Sequence, residues 1–153
     1  MDQDGQMDNP PGGVSAVERP VILIVDDEER VLFVLQNALR KLEKDFKVLT
    51  AHTADDALRK ARDGCCDVVI TDLIMPDIDG IEFTEQIRDM EGAPTVVWMT
   101  AYGCQSFKME AERLGVFRCV EKPIEIHQIR QLAQEALAQR EVDRDIVEKQ
   151  QSQ

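Results

Sequence analysis

Four places along the chain join an apolar run to a polar residue that chemistry can use. Val21-Ile22-Leu23-Ile24-Val25 stops on Asp26-Asp27, and Val68-Val69-Ile70-Thr71 stops on Asp72. Thr95-Val96-Val97-Trp98-Met99 stops on Thr100, and residues Val116 to Val120 lead through Glu121 to Lys122-Pro123. Apolar, β-branched runs of this length read as buried strands. If they are parallel neighbours, their carboxyl ends share one edge, where open α/β sheets place ligands. Three carboxylates, a hydroxyl and an ammonium then meet in one pocket, an arrangement that packing alone does not favour. Carboxylates crowded together have raised pKa values unless a cation sits among them. Oxygen-only ligands suit Mg²⁺, or Mn²⁺ in its place, and Mg²⁺ keeps waters and prefers to meet a phosphate. A lysine and a threonine opposite such a metal cradle phosphoryl oxygens, one as charge and one as hydrogen-bond donor. An aspartate can itself accept a phosphoryl group as an acyl phosphate while the metal neutralises charge on the transferring group. Asp72 taken alone reads equally well as the opening of a loop; the coincidence of four strand ends is the signal.

The elements that must position these residues follow from periodicity. Residues Glu28 to Glu43 carry Val31, Leu32, Val34, Leu35, Ala38, Leu39 and Leu42 at helical spacing. Lys47 to Ala51 reads as a short strand, followed by Thr53 as an N-cap with Asp55 and Asp56 in the first turn. Gly64 ends that helix. After Asp72, a Pro-Asp-Ile-Asp-Gly turn leads to a helix marked by Ile81, Phe83, Thr84, Ile87 and Met90. Cys104 to Leu114 is a weaker helix predicted to face Phe107, Ala111 and Leu114 inward, with Gly115 as its stop. Pro123 prevents the last strand from continuing. Residues Ile124 to about Gln150 form one long helix whose buried stripe is Ile126, Ile129, Leu132, Ala133, Ala136 and Leu137. Beyond Ala138 the stripe thins, and the tail is predicted to protrude. Strands alternating with helices mean parallel strands, right-handed crossovers and helices on both faces: a doubly wound α/β domain.

Composition limits the function classes. The chain has 153 residues, room for one domain with a proper core. Thirty acids against 18 bases give a formal net charge of −12, a surface that repels nucleic acid and anionic membranes. No apolar stretch approaches the ~20 residues of a membrane-spanning helix. Residues 1–19 are rich in Asp, Gly, Pro and Gln without periodicity, and read as a disordered leader without the features of a signal peptide. The domain is predicted over residues 20–138, with 139–153 as an extension of the last helix. Of the four cysteines no pair has zinc-site spacing, and Cys119, in an apolar strand, is expected to be a buried, inert thiol. A reducing cytoplasm is the expected home.

The four motifs together resemble the receiver domain of bacterial two-component response regulators. They are Val25-Asp26-Asp27-Glu28, Thr71-Asp72-Leu73-Ile74-Met75-Pro76-Asp77-Ile78-Asp79-Gly80, Met99-Thr100-Ala101 and Glu121-Lys122-Pro123, in the family's order and spacing. The resemblance implies a flavodoxin-like, five-stranded parallel sheet of order 2-1-3-4-5. It implies that Asp72 accepts phosphate from a histidine-kinase phosphohistidine, and that Asp26, Asp27, Asp72 and the backbone carbonyl of Ile74 hold Mg²⁺. Thr100 and Lys122 bind the phosphoryl group, and small Ala101 leaves it room. Ile74 and Tyr102 stand where the family tunes hydrolysis; both are bulky and neither orients water, so a slow autodephosphorylation is expected. One departure is clear: the family has an aromatic residue three before the lysine, and here that position is Cys119. Phe117 is expected to point to the same face by strand alternation.

Such a protein is a phosphoacceptor switch, not an enzyme beyond its own phosphorylation and dephosphorylation. The implied partners are a sensor histidine kinase or phosphotransfer protein and a downstream protein target. Neither nucleic acid nor membrane is expected to be contacted directly, and the 104–138 surface or the last helix is where a phosphorylation-dependent dimer would form. The length after the last helix suggests a stand-alone, chemotaxis-regulator-like receiver. The alternatives are a receiver-like binding module that has lost phosphorylation, or the receiver of a larger transcriptional regulator. A phosphatase of the haloacid dehalogenase type would need a second aspartate two residues after the first, where this chain has Ile74.

Overall fold

The computed structural model describes residues 19–42, 44–76 and 79–151. The leader expected over residues 1–19 lies, except for its last residue, outside them. Parallel strands β1 (Val21–Val25), β2 (Lys47–Ala51), β3 (Val68–Asp72), β4 (Thr95–Thr100) and β5 (Arg118–Glu121) form one sheet in the order β2-β1-β3-β4-β5. The expected doubly wound topology is therefore the observed one. Helices α1 (Glu29–Arg40), α2 (Ala54–Asp63), α3 (Gly80–Arg88), α4 (Lys108–Leu114) and α5 (Ile126–Gln151) connect and cover the strands.

Strand alternation divides the core in two. Ile22, Ile24, Ile70, Val97 and Met99 pack with Leu32, Leu35 and Leu39 of α1 and Ile129, Leu132 and Ala133 of α5. Leu23, Val25, Val69 and Trp98 face the other way, onto Ala54, Ala57 and Ala61 of α2 and Phe83 and Ile87 of α3. The indole of fully buried Trp98 keeps its polar end satisfied by donating to the Thr84 hydroxyl at 2.8 Å. Thr53 caps α2 as expected, its hydroxyl accepting from the amide of Asp56 at 3.1 Å.

Three expectations are corrected. The segment after β4 begins as a 3₁₀ turn (Cys104–Phe107), so the helix itself starts only at Lys108; Phe107, Ala111 and Leu114 do face inward as expected, partly buried against the α2/α3 core. Phe117 precedes the regular part of β5 and packs with the α1/α5 core, whereas Cys119 packs with the opposite core. Period-two alternation fails across that junction because residue 117 is not yet in the strand.

The third correction concerns the tail of α5. Arg140 donates to the carbonyls of Ala93 and Gly92 at 3.0 Å each, and Arg144 donates to Asp67 Oδ1 at 3.1 Å. Buried Asp67 also accepts from the amide of Val21 at 2.9 Å and has Arg140 Nε 3.5 Å away. One carboxylate thus ties the starts of β1 and β3 to α5, and the helix is anchored to Arg144 before it runs on exposed. The apolar count missed this because a charged clamp holds the tail. Asp67→Ala removes a carboxylate that accepts from an amide and from Arg144 and pairs with the charge of Arg140, and is expected to destabilise by about 2–3 kcal/mol. That corresponds to a melting temperature lower by roughly 4–12 °C; a thermal scan showing no change would reduce the clamp to a surface contact.

Candidate functional site

Each site residue sits at a strand end because the strand is apolar up to that point and the chain then leaves the sheet. Asp26 follows β1 and is fully buried, its amide donating to the Ala51 carbonyl at 3.2 Å. Its Oδ1 accepts from the Glu28 amide at 2.9 Å, which aims the side chain across the sheet's edge. Asp72 closes β3 with only 6% of its surface exposed, and its Oδ1 accepts from the Ile74 amide at 3.3 Å. The turn beyond folds back so closely that the Gly80 amide donates to the Leu73 carbonyl at 2.9 Å. A Cβ at Gly80 would stand 2.3 Å from that carbonyl oxygen, so the turn requires glycine.

Lys122 reaches over from the end of β5, where its own amide donates to the Thr100 carbonyl at 2.8 Å. Its ammonium lies 2.7 Å from Asp26 Oδ2 and 3.1 Å from Asp72 Oδ2, with Glu28 Oε1 at 3.9 Å. Thr100 is buried beside it, and its hydroxyl oxygen accepts from the Tyr102 amide at 3.0 Å. The hydroxyl proton of Thr100 is left to donate. Asp27 is exposed at the rim, and so are Ala101, Ile74 and Tyr102, the last two at 51% and 68%. The structure thus brings Asp26, Asp27, Asp72, Thr100 and Lys122 together, with Ala101, Ile74 and Tyr102 around the opening.

The electrostatics follow from burial. Burial is the largest influence on Asp26 and pushes its carboxyl above the ordinary range, against the pull of Lys122 and the Glu28 amide and with a further push from Asp72. Burial disfavours the Lys122 cation too, but Asp26 and Asp72 together outweigh it and hold the ammonium above its usual value. The cluster is thus short of positive charge: one ammonium, shared by Asp26 and Asp72, stands among three aspartates.

That shortage is what a divalent cation meets. One oxygen each from Asp26, Asp27 and Asp72 lie within 4.8 Å of one another. Asp26 Oδ2, buried and close to the ammonium, has no aligned hydrogen-bond donor. An all-oxygen donor set with a solvent-open side fits Mg²⁺. At Mg²⁺ about 100-fold above its dissociation constant the protein is expected to gain about 2.7 kcal/mol, read as a melting temperature raised by roughly 5–11 °C. Asp26→Asn/Asp27→Asn should abolish that shift. An equal shift in the double variant would place the ion elsewhere.

Sequence reasoning missed Cys119's partner. Cys119 is half-buried and disulfide-bonded to Cys104, with their Cα atoms 5.8 Å apart; it is not a buried free thiol. Cys104 lies just past the end of β4 and Cys119 lies in β5, and the pairing of these two strands brings the cysteines together. Of the other two, Cys65 is an exposed free thiol, while Cys66 is buried, donates to the Val68 carbonyl at 3.1 Å and is pushed up to about 12 by burial.

Comparison with known proteins points the same way. The family model described as "Response regulator receiver domain" matches residues 22–134. The regulatory protein AtoC of Escherichia coli is 34% identical over 133 residues, covering 87% of this chain and 28% of that protein. The transcriptional regulatory protein ResD of Bacillus subtilis is 31% identical over 102 residues, covering 67% of this chain and 41% of that one. The chain therefore spans well under half the length of these relatives. A response regulator receiver domain protein from Clostridium thermocellum superposes with a TM-score of 0.71 at 26% identity, over 80% of this chain and 98% of that one.

Proposed function

We propose, for a chain that belongs to the response regulator receiver domain family and so is homologous to the regulators of two-component systems, that Asp72 is its phosphoryl acceptor. The observation that carries this reading is the Lys122 ammonium between Asp26 and Asp72, on a strand end whose backbone pairs with Thr100. Asp26, Asp27 and Asp72, with the Ile74 carbonyl, would hold Mg²⁺, which supplies neutralisation of phosphoryl charge. A phosphohistidine of a sensor kinase or phosphotransfer protein presents its phosphorus to a carboxylate oxygen of Asp72; the P–N bond breaks as the P–O bond forms. Lys122 then holds a phosphoryl oxygen and Thr100 donates to another, with Ala101 offering no side chain to crowd it. The resulting state changes contacts with a downstream protein target. We take residues 20–138 as the receiver, the rest of α5 as its extension, and the cytoplasm as its place; among the described residues no helix is long and apolar enough to cross a membrane. The names and lengths of AtoC and ResD favour a second reading, in which this receiver serves a larger regulatory protein.

The test is intact mass after incubation with Mg²⁺ and a small acyl-phosphate donor. Gain of one phosphoryl group, suppressed by a chelator, is expected; no gain would move the weight to a phosphorylation-independent binding module. The same sample gives the lifetime. Ile74 and Tyr102 flank the opening without a carboxylate or amide to orient water, so decay in Mg²⁺ is expected to be slow, over many minutes or longer. A half-life of seconds would remove both residues from that role.

A further inference from the structure

The loop between β4 and α4 carries a feature that phosphoryl acceptance does not use. Residues 101–107 follow directly on Thr100 and are held at three points. The Tyr102 amide donates to the Thr100 hydroxyl at 3.0 Å, and the Cys104 amide donates to Glu121 Oε2 at 3.2 Å. The third point is covalent: Cys104 is bonded to Cys119, the residue opposite Trp98 in the β4–β5 register. Their Cα separation of 5.8 Å lies within the range that a disulfide spans without backbone movement. Both residues are half-buried at the sheet's margin, and so within reach of a small reagent.

We propose that Cys104 and Cys119 are a thiol–disulfide modification site whose oxidation fixes the 101–107 loop to β5, and that the oxidant is a small-molecule disulfide. One cysteine thiolate attacks a sulfur of the reagent, forms a mixed disulfide and releases one small thiol. The second thiolate attacks the protein sulfur, closes the Cys104–Cys119 bond and releases the other. The two cysteines are oxidised by two electrons, the reagent is reduced to two thiols, and the two protons pass from the cysteines to the leaving thiolates. Regulation rests on the proposal above that Asp72 takes a phosphoryl group to which Thr100 donates, and on the Thr100 side chain turning to reach it. That turn breaks the Tyr102–Thr100 hydrogen bond and shifts the loop, and a loop tied to β5 resists the shift. The reduced protein is the responsive one.

The experiment uses the full chain, equilibrated with oxidised glutathione or with a dithiol reductant. Alkylation and peptide mass locate the bond, and amide hydrogen exchange reads the loop. Glutathione disulfide should join Cys104 to Cys119, the reductant should open the bond, and exchange of the 101–107 amides should be about 10-fold faster in the reduced form. Cys104→Ser and Cys119→Ser should exchange at the reduced rate under both conditions. Failure of the two sulfurs to join, their pairing with Cys65, or equal exchange in the two forms would overturn the site. In parallel, phosphoryl uptake should be several-fold slower in the oxidised wild type and indifferent to redox state in Cys104→Ser. Equal uptake in both wild-type forms would overturn the regulation. No uptake even when reduced would sink the Asp72 reading, while exchange would still judge the tether.

Discussion

Asp72→Asn is expected to gain no phosphoryl group under conditions that fully modify the wild type, while remaining folded. The loss should be complete because a carboxamide oxygen is a poor nucleophile and nothing else in the cluster can replace it. Asp26 is fully buried with one oxygen held by the Glu28 amide and the other against Lys122. Asp27 stands at the exposed rim, away from the Lys122 contact that Asp26 and Asp72 share. Folding should not suffer, since the substitution removes one negative charge from a site where a single ammonium is shared by Asp26 and Asp72. The measurement is intact mass with a thermal scan on the same sample. A variant that melts with the wild type and stays unmodified assigns the acceptor. Phosphoryl uptake by that variant would transfer the role to another residue.

How much of this was legible in the chain depends on what each element is made of. Strands β1, β3 and β4 are apolar up to a single polar residue, so their ends and the residues they deliver could be read directly, and with them the parallel sheet that gathers Asp26, Asp72 and Thr100. The β5 region carries less apolar content, and the start of the strand was placed two residues early, which turned Phe117 to the wrong face. The Asp67 clamp and the Cys104–Cys119 bond were not legible, because each joins residues far apart in sequence or on different elements, and no periodicity encodes them. The position of Lys122 was legible; that it divides its charge between Asp26 and Asp72 was a matter of three-dimensional distance.

That division makes Lys122→Met the substitution with the largest expected effect on stability. Removing one member of a buried charge set leaves the others unpaired, a loss of about 3–5 kcal/mol where burial is complete. Asp26 is fully buried and the Lys122 side chain is 15% exposed, so the metal-free variant at neutral pH is expected near the lower end of that range. The pH dependence supplies the discriminating sign. A carboxyl whose folded pKa is raised binds protons more tightly when folded, so stability falls as pH rises from its unfolded value through its folded one. Without the ammonium, the folded value of Asp26 rises further and the cost at neutral pH grows. Acidification should therefore restore much of the variant's stability. On the alkaline side the wild type should lose stability as pH climbs through the raised value of Lys122, and the variant should not. Asp26→Asn/Lys122→Met removes both charges and should regain most of the loss at neutral pH, a coupling that a double-mutant cycle in chelator reads directly. A Lys122→Met protein as stable as wild type at neutral pH, with an unchanged acid limb, would mean that the charges of Asp26 and Asp72 are screened by solvent rather than by this ammonium.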